Sequence, residues 1–366
     1  MAETLVIEPD TGFLRDLVRS GGTDLKKCYQ CATCSVVCTL SSDEAPFPRR
    51  QMLEAQWGLK ERVLSDPAIW LCHNCGDCTR YCPRGARPGD VLGALRREAI
   101  QHFAWPAFLA RWVNDPRALP LLVLIPVLLF GLLWAFGPEA ASTHPGRMEF
   151  ANQFPVPVLE AVFFAISAAV IGMFVVGLRR AIPAWRASGA RAPLLPNLLP
   201  ALREIATHRR FAQCGAERSR YWGHLLVMWG FAGLAVVGTA IGLGHMAGAI
   251  HTPLAQTHPL KILANAGGAA ALAGLVIVWA GRLRDPVKRE RTTYFDWFFL
   301  VVLAGVVLTG VASELLRERQ LEAMYAVYFA HLVLIFLLFV SAPYSKLAHV
   351  LYRTAAMAAS GGRAGR

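Results

Sequence analysis

Eight of the nine cysteines in this 366-residue chain fall into two copies of one spacing, C-x2-C-x2-C-x3-C. The first copy is Cys28, Cys31, Cys34 and Cys38; the second is Cys72, Cys75, Cys78 and Cys82. Thiolates at this spacing wrap a cubane iron–sulfur cluster, so each copy predicts one [4Fe–4S] centre. A zinc site needs only four ligands, commonly two C-x2-C pairs, and the doubled run exceeds that. A disulfide framework suits a short secreted chain rather than this one. Such clusters imply a reducing compartment, which predicts that this end of the chain is cytoplasmic.

In ferredoxins that hold two such clusters, the fourth cysteine of each run ligates the other cluster. The expected sets are therefore Cys28, Cys31, Cys34 with Cys82, and Cys72, Cys75, Cys78 with Cys38. The second run ends in Cys82-Pro83, as the ferredoxin pattern does; the first ends in Cys38-Thr39. Between the runs, Met52, Leu53, Trp57, Leu59 and Val63 recur at helical spacing. Gly21-Gly22 and Ser41-Ser42 mark loops. Residues 1–94 are thus expected to form an α-helical two-cluster ferredoxin domain.

The apolar fraction, 55%, exceeds the roughly 45–50% usual for soluble proteins, and the excess lies beyond residue 118. Six segments reach toward the ~20 residues that cross a hydrocarbon core: 119–136, 156–178, 222–244, 261–281, 295–313 and 324–343. The first carries Pro120 and Pro126. Residues 95–118 are expected to link the two parts. Within them, 95–113 mix Arg96, Arg97 and Arg111 with Phe103, Trp105, Phe108 and Trp112, which fits an interfacial helix or an amphipathic helix packed on the ferredoxin domain. The membrane domain is expected over 119–349 and a tail over 350–366. The predicted fold is all-α.

The net charge of +12 does not call for nucleic acid, because arginines concentrate in loops between apolar runs. Nine arginines, from Arg179 to Arg220, follow the second segment; Arg282, Arg284, Lys288, Arg289 and Arg291 follow the fourth. The alternate loops are poor in positive charge. Positive-inside logic puts the basic loops and both termini in the cytoplasm of a multi-pass inner (cytoplasmic) membrane protein. The polar, acidic N-terminus shows no signal peptide. Cys214 sits alone in a basic loop and is read as incidental; His73, His102, His144 and His208 are read as ordinary loop or surface residues.

Ionisable groups in membrane helices are costly and usually functional. His331 and His349 are 18 residues apart (349 − 331), five turns of an unbroken helix and about 27 Å of rise. His224 and His245 bracket the third segment, 21 residues apart (245 − 224). Antiparallel packing would set His224 level with His349 and His245 level with His331. Paired imidazoles near each membrane surface are what one or two b-type haems require. His251 and His258 lie near His245 as substitutes. Lys261 and His258, at the outer end of the fourth segment, are the quinone-site candidates, against a reading of both as interfacial residues. No catalytic residue beyond these is assigned.

The cysteine runs over 28–82 resemble the C subunit of heterodisulfide reductase. His331-Leu-Val-Leu through Pro343-Tyr344-Ser345-Lys346 to His349 resembles the last helix of the cytochrome b subunit of respiratory nitrate reductase. Ala266-Gly267-Gly268-Ala269 and the basic Arg282–Arg291 loop resemble that cytochrome too. The fusion is similar to the C subunit of the quinone-interacting membrane-bound oxidoreductase (Qmo) complex. In the nitrate reductase cytochrome the early ligand helix carries two histidines ten residues apart; counting from His224, position 234 here is Leu. The resemblance therefore supports His224 with His349 and leaves the partner of His331 open. An extra helix precedes the five-helix pattern.

The resemblance implies the quinone-reactive subunit of a multi-subunit oxidoreductase, not a complete enzyme alone. Its cofactors would be two [4Fe–4S] clusters and haem b. Its partners would be flavin-containing heterodisulfide reductase A-like subunits, the Qmo A and B type, serving adenylylsulfate reductase in sulfur metabolism. Two other readings stand beside it. One is a heterodisulfide reductase C/E-type fusion serving a thiol or disulfide enzyme; the other is a haem-free membrane anchor or redox sensor.

Overall fold

The computed structural model describes residues 8–138, 146–209, 211–213 and 218–361; Cys214 and His144 lie outside them. The described residues form helices and turns with no strand. The amino-terminal helices are α1 Thr11–Arg19, α2 Thr33–Val36, α3 Arg49–Gln56, α4 Lys60–Leu64, α5 Ala68–Leu71, α6 Asp77–Arg80 and α7 Pro88–Phe103. Next come α8 Ala107–Asn114, α9 Leu119–Phe136, α10 Val156–Ala187, α11 Leu194–Thr207, α12 Arg218–Met246 and α13 Pro259–Arg284. The last are α14 Pro286–Arg291, α15 Tyr294–Glu318, α16 Ala323–Ser341 and α17 Ala348–Ala359. Six stretches are long and apolar enough to cross a membrane: 116–136, 156–187, 219–246, 259–284, 294–318 and 323–359. The chain forms two compact units, residues 1–111, 173–218 and 343–366 in one, and 112–172 and 219–342 in the other.

The first unit is built from short helices around one core. Leu17, Met52, Val63, Leu64, Ile69, Trp70, Leu92 and Leu95 are all buried. Polar groups stop and start the helices. The Asp10 carboxylate accepts from the Phe13 amide at 2.8 Å, capping α1. Asp66 accepts from the Ala68 amide at 2.9 Å to start α5, and its other oxygen accepts from Gln51 at 2.7 Å and pairs with Arg50. Pro88 opens α7 at its first turn, where the missing amide hydrogen costs nothing.

In the second unit, α12 and α13 approach to backbone contact through glycines. A Cβ on Gly274 would sit 2.6 Å from the Gly223 carbonyl oxygen and 2.7 Å from the Val227 nitrogen. One on Gly230 would sit 2.6 Å from the Gly267 oxygen. Small residues at such crossings let membrane helices gain dispersion contacts that apolar lipid would otherwise match. Gly274→Leu is therefore expected to cost about 1–3 kcal/mol of overpacking strain or more. Gly238→Leu, on the same pair's open side with nothing within 4 Å, is the neutral control. Thermal unfolding in detergent reads the difference; equal melting points would rule out the close crossing.

Three segments differ from their sequence expectation. Residues 95–113 are two helices, because Pro106 interrupts the amide ladder; α7 is core helix, with Ala99, Ile100 and Phe103 buried, while Trp105, Phe108 and Trp112 are exposed. The first basic loop contains a helix of its own, α11, on which Leu195, Leu198, Leu199 and Leu202 are exposed. The last apolar segment is broken. After α16 the chain makes a 3-10 turn over 342–344, where Pro343 cannot donate an amide hydrogen, and α17 starts at Ala348. His331 lies two turns inside α16 and His349 belongs to α17, so the five-turn register between them does not run through one unbroken helix.

Candidate functional site

The two cysteine runs fold as copies of one loop. In each, the residues two and four positions after the first cysteine adopt left-handed backbone: Gln30 and Ala32 at φ 58° and 66°, Asn74 and Gly76 at φ 53° and 89°. A short helix then starts at the same point, α2 at Thr33 and α6 at Asp77. These reversals turn three cysteines of each run toward one centre. Hydrogen-bond donors follow the sulfurs. The Gln30 side chain approaches Cys28 Sγ at 3.4 Å, the Asn74 amide donates to Cys72 Sγ at 3.2 Å, and the Ala86 amide donates to Cys82 Sγ at 3.3 Å. Donors to cluster sulfurs are one lever on a cluster's potential. Gln56 of α3 locks the first loop, donating to the Leu25 and Cys28 carbonyls at 3.2 and 3.0 Å.

Cys28, Cys31, Cys34 and Cys82 line one cavity, walled by Arg49, Pro83, Ala86 and Pro88. The fourth cysteine of the second run thus sits with the first three of the first run. Cys38 and Cys78 have Cys72, Cys75 and Cys34 as neighbours: burial pushes the Cys38 thiol up to about 12, and the charges of Cys72, Cys75 and Cys34 add to the rise. Burial likewise raises Cys78 strongly, with Cys72, Cys75 and Cys38 as charged neighbours. Cys34 is pushed up to about 11 by burial and by Cys28, Cys31 and Cys82. Thiolates gathered this closely would repel one another, and the iron of a bound cluster would offset that charge. Among the described residues no three His, Cys, Asp or Glu side chains converge on one metal ion. The first set instead rings a cavity, which is what a polynuclear cluster needs. The eight cysteines are free of disulfides. The residues fit the group.

The second loop is gripped by α17. Arg353 donates to the Cys72 carbonyl at 2.9 Å and meets His73 Nδ1 at 2.9 Å. Arg96 of α7 donates to the same carbonyl at 3.3 Å. One residue earlier on α17, the Tyr352 ring stacks on buried Trp70, centroids 4.9 Å apart and 17° from parallel. Trp185 of α10 closes the cluster edge-on at 6.5 Å from Trp70. His349 stands one turn before Arg353 on the same helix.

His349, His331 and His245 each have Nδ1 held by an oxygen. His349 Nδ1 bonds to the Lys346 carbonyl. His331 Nδ1 lies 3.0 Å from Thr309 Oγ1, which itself donates to the Gly305 carbonyl at 2.6 Å and so accepts from the ring. His245 Nδ1 lies 3.1 Å from the Glu160 carboxylate. A proton fixed on Nδ1 puts the lone pair on Nε2, the arrangement that an oriented imidazole ligand would have. His245 and His331 are engaged by different elements, α10 and α15. His224 is half-buried on α12. The quinone candidates are otherwise occupied. Lys261 pairs with Glu314, which Arg317 also binds at 2.8 Å, and His258 caps α13 by accepting from the Leu260 amide at 3.2 Å. Glu160, Thr309, Glu314, Arg96 and Arg353 had no motif to mark them; only the isolated acids inside apolar runs were a visible signal.

Comparison with known proteins gives two matches along the chain. A 4Fe–4S dicluster domain matches residues 24–86. The amino-terminal part is 38% identical over 93 residues to the C subunit of H(2):CoB-CoM heterodisulfide,ferredoxin reductase of Methanothermobacter thermautotrophicus, covering 25% of this chain and 50% of that protein. It is 35% identical over 88 residues to the C subunit of ferredoxin:CoB-CoM heterodisulfide reductase of Methanosarcina mazei, covering 24% and 54%. The chain therefore spans about half the length of these curated relatives. Citrate utilization protein B of Escherichia coli is 26% identical over 308 residues, 78% of this chain and 79% of that protein. No solved structure matches. An all-α iron–sulfur protein with six apolar helices, whose residues 113–365 match the family model described as citrate utilization protein B, belongs to that family.

Proposed function

We propose that this chain is a membrane electron-transfer subunit working between the quinone pool and a cytoplasmic flavin or iron–sulfur partner. The clusters and haem, when bound, supply one-electron carriers. Cys28, Cys31, Cys34 and Cys82 hold one cluster; Cys72, Cys75, Cys78 and Cys38 hold the other. His349, His224, His331 and His245 are the haem ligands. The basic loops, both termini and the cysteine loops face the cytoplasm.

One observation carries the reading: α17 bears His349 and, a turn later, the arginine that holds the Cys72 carbonyl. A haem ligand and a cluster loop joined by one short helix are held at fixed separation, as electron transfer requires. Arg353 and Arg96 orient the Cys72 peptide and place positive charge beside that loop. To serve a quinone oxygen at the outer end of α13, Lys261 would have to leave Glu314, and His258 would have to donate from the ring nitrogen that does not cap the helix.

The Qmo likeness makes the partner a pair of A- and B-type flavin subunits serving adenylylsulfate reductase. A second reading of the partner rests on the relative that spans most of the chain, which is named for citrate utilization. In that reading the flavoprotein acts on a small carboxylic acid. An optical titration of the oxidised protein with a reduced quinol analogue tests the core of both. Appearance of a reduced b-type band is expected. No band with quinol or with a strong reductant would leave a haem-free anchor or sensor.

A further inference from the structure

The two cysteine sites differ in what surrounds them. The second loop is covered by α17, through Arg353 and the Trp70–Tyr352 stack. Among the described residues, those that line the first cavity fall between positions 28 and 88. One of its cysteines, Cys31, is exposed. Large apolar side chains are exposed in its lining and within two residues of its cysteines. Tyr29 is 68% exposed, Val36 84% and Tyr81 55%. A single exposed Val would be ordinary, but Val36, Tyr29 and Tyr81 add apolar surface close in sequence to the same cysteines, the kind of surface that a partner covers. Two exposed arginines, Arg49 and Arg84, line the cavity, and a third, Arg80, lies two residues before its Cys82. Arg84 lies 4.0 Å over the Tyr29 ring, and Arg80 lies 5.9 Å from the Tyr81 ring.

We infer that the rim of this cavity is the docking face for a soluble redox protein that presents acidic residues around an apolar centre. The inference rests on the electron-transfer reading above and adds where the partner binds. Aromatic side chains with arginine are the residue types that dominate interface energy. The arginine ring selects a partner of opposite charge and opposes a second copy of the same face. It also steers association, so binding weakens with salt.

The test uses the full chain in detergent with its clusters loaded, and an acidic flavodoxin as the probe. Binding is measured by titration for the wild type, Val36→Asp, Arg80→Glu with Arg84→Glu, and the control Arg203→Glu on α11. Cluster absorbance checks that each variant is intact. The expected result is salt-sensitive binding that weakens at least about tenfold in the rim variants and is unchanged in the control. Equal weakening in Arg203→Glu, undiminished binding by the rim variants, or no wild-type binding would overturn it. So would loss, in Val36→Asp, of a wild-type dimer or of binding to anionic vesicles, since the occupant would then be a second copy or lipid. Quinol reduction of the same samples is scored separately: its failure with docking intact would sink the quinone reading and leave the docking face.

Discussion

A Cys82→Ser variant is expected to lose the cluster of the first cysteine run and keep that of the second. Cys82 lies 10 residues after Cys72 in the second run (82 − 72), yet it lines the cavity of Cys28, Cys31 and Cys34. Serine replaces a soft thiolate with a harder and more basic oxygen, leaving three matched ligands of four. Bound iron should fall by about half, four of eight ions, since each cubane holds four. Iron analysis with electron paramagnetic resonance of the reduced protein distinguishes the two clusters. Selective loss of the second run's signal would contradict the crossed arrangement. The Gln56 clamp on the Leu25 and Cys28 carbonyls is untouched, so the loop itself should keep its course.

The second large effect concerns His349. Replacing it by alanine is expected to remove one b-type haem entirely while leaving the iron–sulfur content unchanged. The imidazole is held at Nδ1 by the Lys346 carbonyl, so nothing nearby can shift to replace its Nε2. The helix keeps its grip on the second cysteine loop, because Arg353 and Tyr352 make those contacts without His349. Haem is assayed by its alkaline pyridine spectrum and iron–sulfur content by acid-labile sulfide. A full haem complement in the variant would refute the ligand assignment. Loss of clusters alongside haem would mean that His349 acts by supporting α17.

The cysteine loops were legible because ligation fixes spacing. Cubane geometry demands three cysteines at short, constant separation, and that demand is written into adjacent positions. The left-handed residues between them were half legible: Gly76 is a residue that favours positive φ, whereas Ala32 does the same job without that signal. The apolar helices were legible because lipid imposes length and composition. What stayed hidden is what forms only across the chain. Arg353 reads as one more cytoplasmic arginine until the fold brings it to Cys72. Glu160 reads as a stray acid until His245 arrives. Helix α11 was obscured because counting arginines for topology says nothing about the leucines spaced three and four apart between them. The break after Ser341 shows the limit of register arguments: Pro343 is in plain view, yet apolar content alone predicts an unbroken helix through it.

The bond from Arg353 to Cys72 spans 281 positions of the chain. That separation has a consequence for biogenesis. Among the described residues, those that line the first cavity fall between positions 28 and 88 and are made early. The second loop has its closing contacts on α17, which the ribosome makes only after the helices that precede it. Five apolar stretches, and the α16 part of the sixth, lie in between. Closing so long a loop adds little entropy cost, so the delay is one of timing rather than equilibrium. The first site can thus be loaded on a nascent chain, while the second is finished only on an inserted one. A ribosome stalled before α17 would leave the second loop without those contacts, so its maturation would wait on synthesis of that helix.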